Sequence, residues 1–195
     1  AETLTPFDLG HLEAHLRTAA DSGFNGIVWI AQGERVVLQR TCGWADANQS
    51  RPLTPDTPFW IASISKTFAA AAALRLTELG VFSLHDPLTR FFDAVPPDKA
   101  PITLHQLLSH TAGLGQHYAA DGITDREAAI AAILSEPLLN PPGSGFSYSN
   151  DAYTLAAAII ELAAGMPYEC YVRTTFLKPA GLAHTGFWGL PESAI

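Results

Sequence analysis

Ser63 and Lys66 stand three residues apart in FWIASISKTFAAAAALRLTELG, the stretch from Phe59 to Gly80 of a 195-residue chain whose lysines are Lys66, Lys99 and Lys178. On a helix residues three apart share a face, so the Ser63 hydroxyl and the Lys66 amine are expected to be neighbours. A serine hydroxyl is a weak nucleophile until a base takes its proton. A lysine held in apolar surroundings loses some preference for its charged form and can act as that base. On this reading Lys66 is a buried lysine. Proton transfer of this kind contributes about 10²–10⁴-fold to a rate. The amide N–H groups of a helix N-terminus add donors, one of which can stabilise an oxyanion developing near Ser63. The spacing alone is a weak signal, because a surface lysine near a helix start satisfies it equally.

A second pair comes from Tyr148-Ser149-Asn150, which follows the loop Pro142-Gly143-Ser144-Gly145-Phe146. In an extended segment residues two apart point the same way, so the Tyr148 hydroxyl and the Asn150 amide can enter one cleft. A phenol beside a cationic lysine can accept or relay a proton, and an asparagine can hold a substrate carbonyl. The competing reading is architectural: Asn150 caps a helix that begins at Asp151, and Tyr148 is a packing aromatic.

Several elements must position these residues. Thr5-Pro6-Phe7-Asp8 has the form of a helix start, and Leu9, Leu12, Leu16 and Ala19 follow with helical spacing up to Gly23. Ile27–Ala31 and Arg35–Gln39, joined through Gln32-Gly33-Glu34, read as a β-hairpin. The Ser63 segment reads as a buried helix ended by Gly80. Beyond it the chain is mostly helical, with loops marked by Asp86-Pro87, Pro96-Pro97, Pro137 and Asn140-Pro141-Pro142-Gly143. A helix is predicted from about Asp151 to Ala164, with Leu155, Ala158, Ile159 and Leu162 on one stripe, and a shorter one from about Tyr168 to Leu177. One hairpin is too little sheet for so many helices to cover. Further strands are either hidden in loops or lie outside this sequence, and the second reading is favoured.

Composition narrows the function classes. With 48% hydrophobic and 15% charged residues the chain is globular. A formal charge of -8 with scattered cations argues against a nucleic-acid partner. No apolar run reaches the length of a membrane span; Arg75 and Glu78 interrupt the alanine-rich segment. Cys42 and Cys170 read as two unpaired thiols packed as small apolar groups, with a disulfide as the alternative. His11 and His15 lie one helical turn apart but lack an evident third ligand, so they read as solvated. No metal, nucleotide or flavin motif is present, and no cofactor is expected.

Ordered motifs along nearly the whole chain carry a resemblance. They are Gly43-Trp44-Ala45, Phe59 through Phe68, Leu84-His85-Asp86-Pro87, and Ile102-Thr103 leading to Leu107-Leu108-Ser109-His110-Thr111-Ala112-Gly113-Leu114. Pro142-Gly143, Tyr148-Ser149-Asn150, Pro179-Ala180-Gly181-Leu182 and Thr185-Gly186 complete the set. Together they resemble the serine β-lactamase and penicillin-binding superfamily, in the branch of class C β-lactamases, DD-peptidases and related esterases. The resemblance implies an α+β, β-lactamase-like fold: an antiparallel sheet flanked by helices plus an all-helical region, with the sheet incomplete in this chain. It implies that Ser63 is the acylated nucleophile, Lys66 its activating partner, Tyr148 the general base or proton relay, and Asn150 a substrate-positioning amide. His110 through Leu114 is similar to a structural turn, and His110 receives no catalytic role. The third element of the family is a Lys- or His-containing triad ending in glycine; His184-Thr185-Gly186 matches it as a string but reads as a decoy, because the true element comes much later.

The organisation expected is 1–80 for the N-terminal helix, hairpin and nucleophile helix, 81–178 for a mainly helical region, and 179–195 for a connection toward missing C-terminal strands. The function expected is acyl transfer on a β-lactam, a D-Ala-D-Ala peptide or an ester, in a periplasmic or secreted protein. Its partners would be a small-molecule or peptide substrate and a complementary C-terminal fragment or chain, without which these residues are expected to be inactive. The alternative is a non-catalytic binding or assembly protein that retains the fold.

Overall fold

The computed structural model describes residues 9–187, so the capping segment Thr5–Asp8 lies outside the described residues. The chain divides into two compact units with the boundary after Phe59. The first unit holds α1 (Leu9–Asp21), β1 (Gly26–Gln32) and β2 (Arg35–Cys42). Gly23, at φ 95°, closes α1 as the sequence predicts. β1 and β2 pair antiparallel across Gly33-Glu34, and Gly33 alone of the two has a positive φ, 60°, the pattern of a type II′ turn. Ile30 faces Leu38 and Ala31 faces Val36, so Val37 is the extra residue of a β-bulge. Arg40 of β2 pairs with Glu13 of α1. Gly43 has a chemical reason to be glycine: its φ is 86°, and a Cβ would meet Asn25 Oδ1 at 1.8 Å. That asparagine needs the space, since its side chain brackets the Trp44 backbone, accepting from the N–H and donating to the C=O.

The second unit contains α2 (Ser65–Glu78), α3 (Leu104–Leu108), α4 (Arg126–Ser135), α5 (Asn150–Ala164) and α6 (Tyr168–Val172), the last continuing as a π turn over Arg173–Leu177. α5 is the hub, packed against α2, α3, α4 and α6. Its first turn is capped by the Ser149 hydroxyl, which accepts from the Ala152 N–H, and Gly165 ends it in the left-handed conformation. The alanine run of α2 acquires a purpose here. Ala69, Ala72, Ala73 and Leu76 form its buried stripe, and Ala152 and Ala156 of α5 are fully buried, so small side chains let helices lie close. α2 is buried on that stripe only, since Leu74 on its other side is half exposed, as is the capping Leu79. Because α2 packs on α5, it groups with the helices that follow it in the second unit.

Thr103 and Gln106 form a reciprocal capping box at α3, and Leu88 N–H reaches back to the Ile102 carbonyl at 2.8 Å. Leu88, Ile102, Leu104, Leu107, Ile133, Leu155 and Ile159 are fully buried in one core. Among the described residues the sheet is the β1–β2 pair alone, with isolated bridges at Trp44–Pro52 and Pro87–Thr103. The buried lysine is not Lys66 but Lys99, 3% exposed and paired with Asp98 at 2.9 Å. Cys42 and Cys170 are free thiols. No single helix among the described residues is long and apolar enough to cross a membrane.

Candidate active site

Ser63 lies in a 3-10 turn, Ala62–Ile64, that runs directly into α2 at Ser65. The turn is bent. Ile61 has φ -91° and ψ 0°, and Ala62 has φ 44°, a left-handed conformation that costs a non-glycine residue about 1–2 kcal/mol. Ser63 is exposed at the top of that bend. Lys66 follows in the first turn of α2, and its Nζ donates to Ser63 Oγ at 3.2 Å. The helical spacing therefore places the pair as expected, although the serine itself precedes the α-helix.

Tyr148 and Asn150 come from a segment more than eighty residues later in the chain. Ser149 is extended, φ -142° and ψ 126°, and α5 begins at Asn150. Since Ser149 takes the capping role, the Asn150 side chain is released from it, and Asn150 Oδ1 accepts from Lys66 Nζ at 2.7 Å. Tyr148 Oη lies 2.7 Å from Ser63 Oγ. Ser63, Lys66, Tyr148 and Asn150 thus form one continuous hydrogen-bonded group.

The environment of Lys66 differs from the expected apolar shield. It is half-buried, and its amine faces a hydroxyl, an amide oxygen and the rings of Tyr148 and Tyr153, 5.1 and 5.4 Å from their centroids. The group retuned by these surroundings is the phenol. Hydrogen bonding with Lys66, then with Ser63, holds the Tyr148 hydroxyl below the usual 10, with slight burial opposing and the Lys66 charge assisting. Tyr153, one turn after Asn150 on α5, is held above 10 by burial and by Tyr148, and it donates to the Leu108 carbonyl at 2.9 Å.

Sequence reasoning passed over Tyr153 and gave His110 no part beyond the turn. Spacing offered one signal: Tyr153 is three residues beyond Asn150 on the same helix. His110 stacks on Tyr148 with ring centroids 4.4 Å apart. Thr185 and Gly186 of the His184-Thr185-Gly186 string line a mostly apolar cleft of about 280 Å³ with Trp60, Phe68 and Tyr168, which reaches Ala62 and Ser65. Among the described residues no cluster of three His, Cys, Asp or Glu side chains is arranged to hold a metal.

A family model described as Beta-lactamase matches residues 12–194. The chain belongs to the beta-lactamase family. A penicillin-binding protein of Bacillus subtilis (strain 168) is 31% identical over 185 residues, covering 90% of this chain and 41% of that protein. Esterase EstB of Burkholderia gladioli is 30% identical over 212 residues, 95% of this chain and 54% of the esterase. Among solved structures, the octameric penicillin-binding protein homologue from Pyrococcus abyssi superposes with a TM-score of 0.79 at 30% identity, over 91% of this chain and 44% of that one. The fold is therefore β-lactamase-like and α+β, with a two-stranded sheet that is incomplete beside the full family domain. The beta-lactamase family chain spans about half the length of the curated relatives it matches.

Proposed function

We propose that this chain supplies the nucleophile side of a serine hydrolase that works through an acyl-enzyme on β-lactam, D-Ala-D-Ala peptide or ester substrates. The observation that carries the reading is the double contact of Ser63 Oγ, with Tyr148 Oη at 2.7 Å and Lys66 Nζ at 3.2 Å. In the proposed step Tyr148 takes the Ser63 proton as Oγ attacks the substrate carbonyl carbon, and the carbonyl electron pair moves onto oxygen. Collapse of that intermediate expels the amine or alkoxide, which receives the proton back from Tyr148. Water then cleaves the Ser63 ester and restores the hydroxyl. Lys66 serves through its hydrogen bonds and charge, which favour the proton-accepting form of Tyr148. With Oδ1 engaged by Lys66, Asn150 keeps its NH₂ group as a donor for a substrate carbonyl oxygen.

The names of the relatives, penicillin-binding protein and esterase, support lactam and ester carbonyls without ranking them, and the peptide carbonyl rests on the family resemblance. The reading includes a complementary C-terminal fragment or chain, supported by the half-length match to relatives, and a periplasmic or secreted location, supported by family resemblance alone. The test is to treat the complete protein with a fluorescent penicillin and with a fluorophosphonate, then map any adduct. An adduct on Ser63 that Ser63→Ala abolishes is expected, with turnover falling on the order of 10⁴–10⁶-fold. No adduct from either probe would instead favour a non-catalytic binding protein.

A further inference from the structure

Both chain neighbours of Tyr148 are tied to one residue. The Ser147 N–H donates to the His110 carbonyl at 2.8 Å, and the Ser149 N–H donates to His110 Nδ1 at 3.1 Å. Between those ties the imidazole lies against the Tyr148 ring, 4.4 Å between centroids and tilted 32°, and its other neighbours include the Tyr153 ring at 5.1 Å. His110 holds a left-handed backbone, φ 57°, which turns its carbonyl and its ring to the same segment. The turn is anchored again at Gly113, φ 78°, where a Cβ would meet the Asn140 carbonyl oxygen at 2.0 Å. Ser149 Oγ adds a bond to the Gly115 carbonyl at 2.8 Å. The segment that delivers Tyr148 is therefore fastened to the turn beginning at His110.

An imidazole nitrogen that accepts a backbone N–H carries its proton on the other nitrogen, so this arrangement requires neutral His110 with the proton on Nε2. Burial first, and the Lys66 charge second, hold His110 below its usual 6.5. The titratable groups that face the ring are Lys66 from α2, Tyr148 from the preceding segment and Tyr153 from α5. Among the described residues no carboxylate pairs with it. Protonation would set an Nδ1–H donor against the Ser149 N–H donor and place a second positive charge beside Lys66.

We infer that neutral His110 is a positioning residue for Tyr148, fixing the phenol against Ser63 and Lys66 and so setting how readily it accepts a proton. Its consequence for turnover rests on the serine-hydrolase reading; its effect on Tyr148 does not. Protonation of the imidazole loosens one of the two backbone ties and lets the phenol move off the serine.

The experiment is an absorbance titration of tyrosinate in the 195-residue chain, its His110→Ala and His110→Asn variants, and Tyr148→Phe, whose missing transition identifies Tyr148. Asparagine tolerates a left-handed backbone and keeps an acceptor oxygen, whereas alanine keeps neither. In His110→Ala the ionised fraction of Tyr148 at a fixed pH within its transition is expected to fall roughly threefold or more, with partial rescue by His110→Asn. An unchanged Tyr148 transition in folded His110→Ala overturns the inference. Should His110→Ala fail to fold, nitrogen NMR of the unaltered chain decides. The expected spectrum shows Nε2–H with Nδ1 unprotonated at neutral pH, titrating below 6.5; an Nδ1–H tautomer or an imidazolium at neutral pH overturns the inference. Acyl-probe labelling of Ser63 in the complete protein tests the hydrolase reading separately, because a shifted Tyr148 transition without labelling sinks only that reading.

Discussion

A phenol and an amine meet the same serine oxygen, and the amine also grips an amide two residues beyond the phenol. This closed group makes Tyr148 the acid whose ionisation its neighbours adjust. Since its folded-state value is depressed, the stabilisation it contributes is complete only above the ordinary 10 and is lost as pH falls through the lowered value. Lys66→Met removes the largest cause of the depression. Tyrosinate absorbance should then show the Tyr148 transition moving up toward 10, and a transition that stays in place contradicts the assigned cause. In the complete protein, kcat/KM should climb with pH along the Tyr148 transition, and Lys66→Met should carry that rise to higher pH together with the absorbance change.

Elements bring these side chains within reach through close approach of backbone to backbone. The buried alanines of α2 and α5 hold the helix after Ser63 near the helix after Tyr148. Ala156 of α5 is fully buried, so Ala156→Leu overfills the core around this helix and should cost about 1–3 kcal/mol, read as a lower urea midpoint at unchanged m-value. Ser149→Ala removes the α5 cap and the bond to Gly115, and about 1–2 kcal/mol of stability should go with them. Gly113→Ala is expected to be worse, about 2–4 kcal/mol, since it combines an unfavourable backbone region with a Cβ driven into the Asn140 carbonyl. Denaturation of the purified variants measures all three, and a Gly113→Ala chain as stable as the parent would refute the account of the turn.

At the scale of the molecule, stability should depend on pH through His110. The unfolded histidine takes up a proton near 6.5, whereas the folded one resists it, so stability is full above 6.5 and falls as pH drops through the lowered folded value. Urea midpoints across that window should flatten in His110→Asn, and an identical slope in the variant would rule out His110 as the source. The curated relatives are about twice as long as this chain, and the hydrolase reading proposed above includes a complementary segment. Alone, these 195 residues should hydrolyse chromogenic β-lactams and short-chain esters at background rates. Robust turnover by the isolated chain, abolished in Ser63→Ala, would show instead that half of the family's length suffices.

What could be read before any folding was local. Ser63 and Lys66 are joined by one turn of backbone, Tyr148 and Asn150 by two steps of an extended segment, and the hairpin and α5 by hydrophobic period and glycine stops, all geometries that neighbouring residues impose. Tertiary structure decided what depends on distant segments. It set the 2.7 Å meeting of Ser63 with Tyr148, the cap at Ser149 that frees Asn150, and the brace from His110. It also decided which lysine is buried: Lys66 lies among polar and aromatic groups, while Lys99 is covered. A side chain's reach follows from its own backbone, but its exposure follows from what the rest of the chain lays over it, and periodicity carries no record of that.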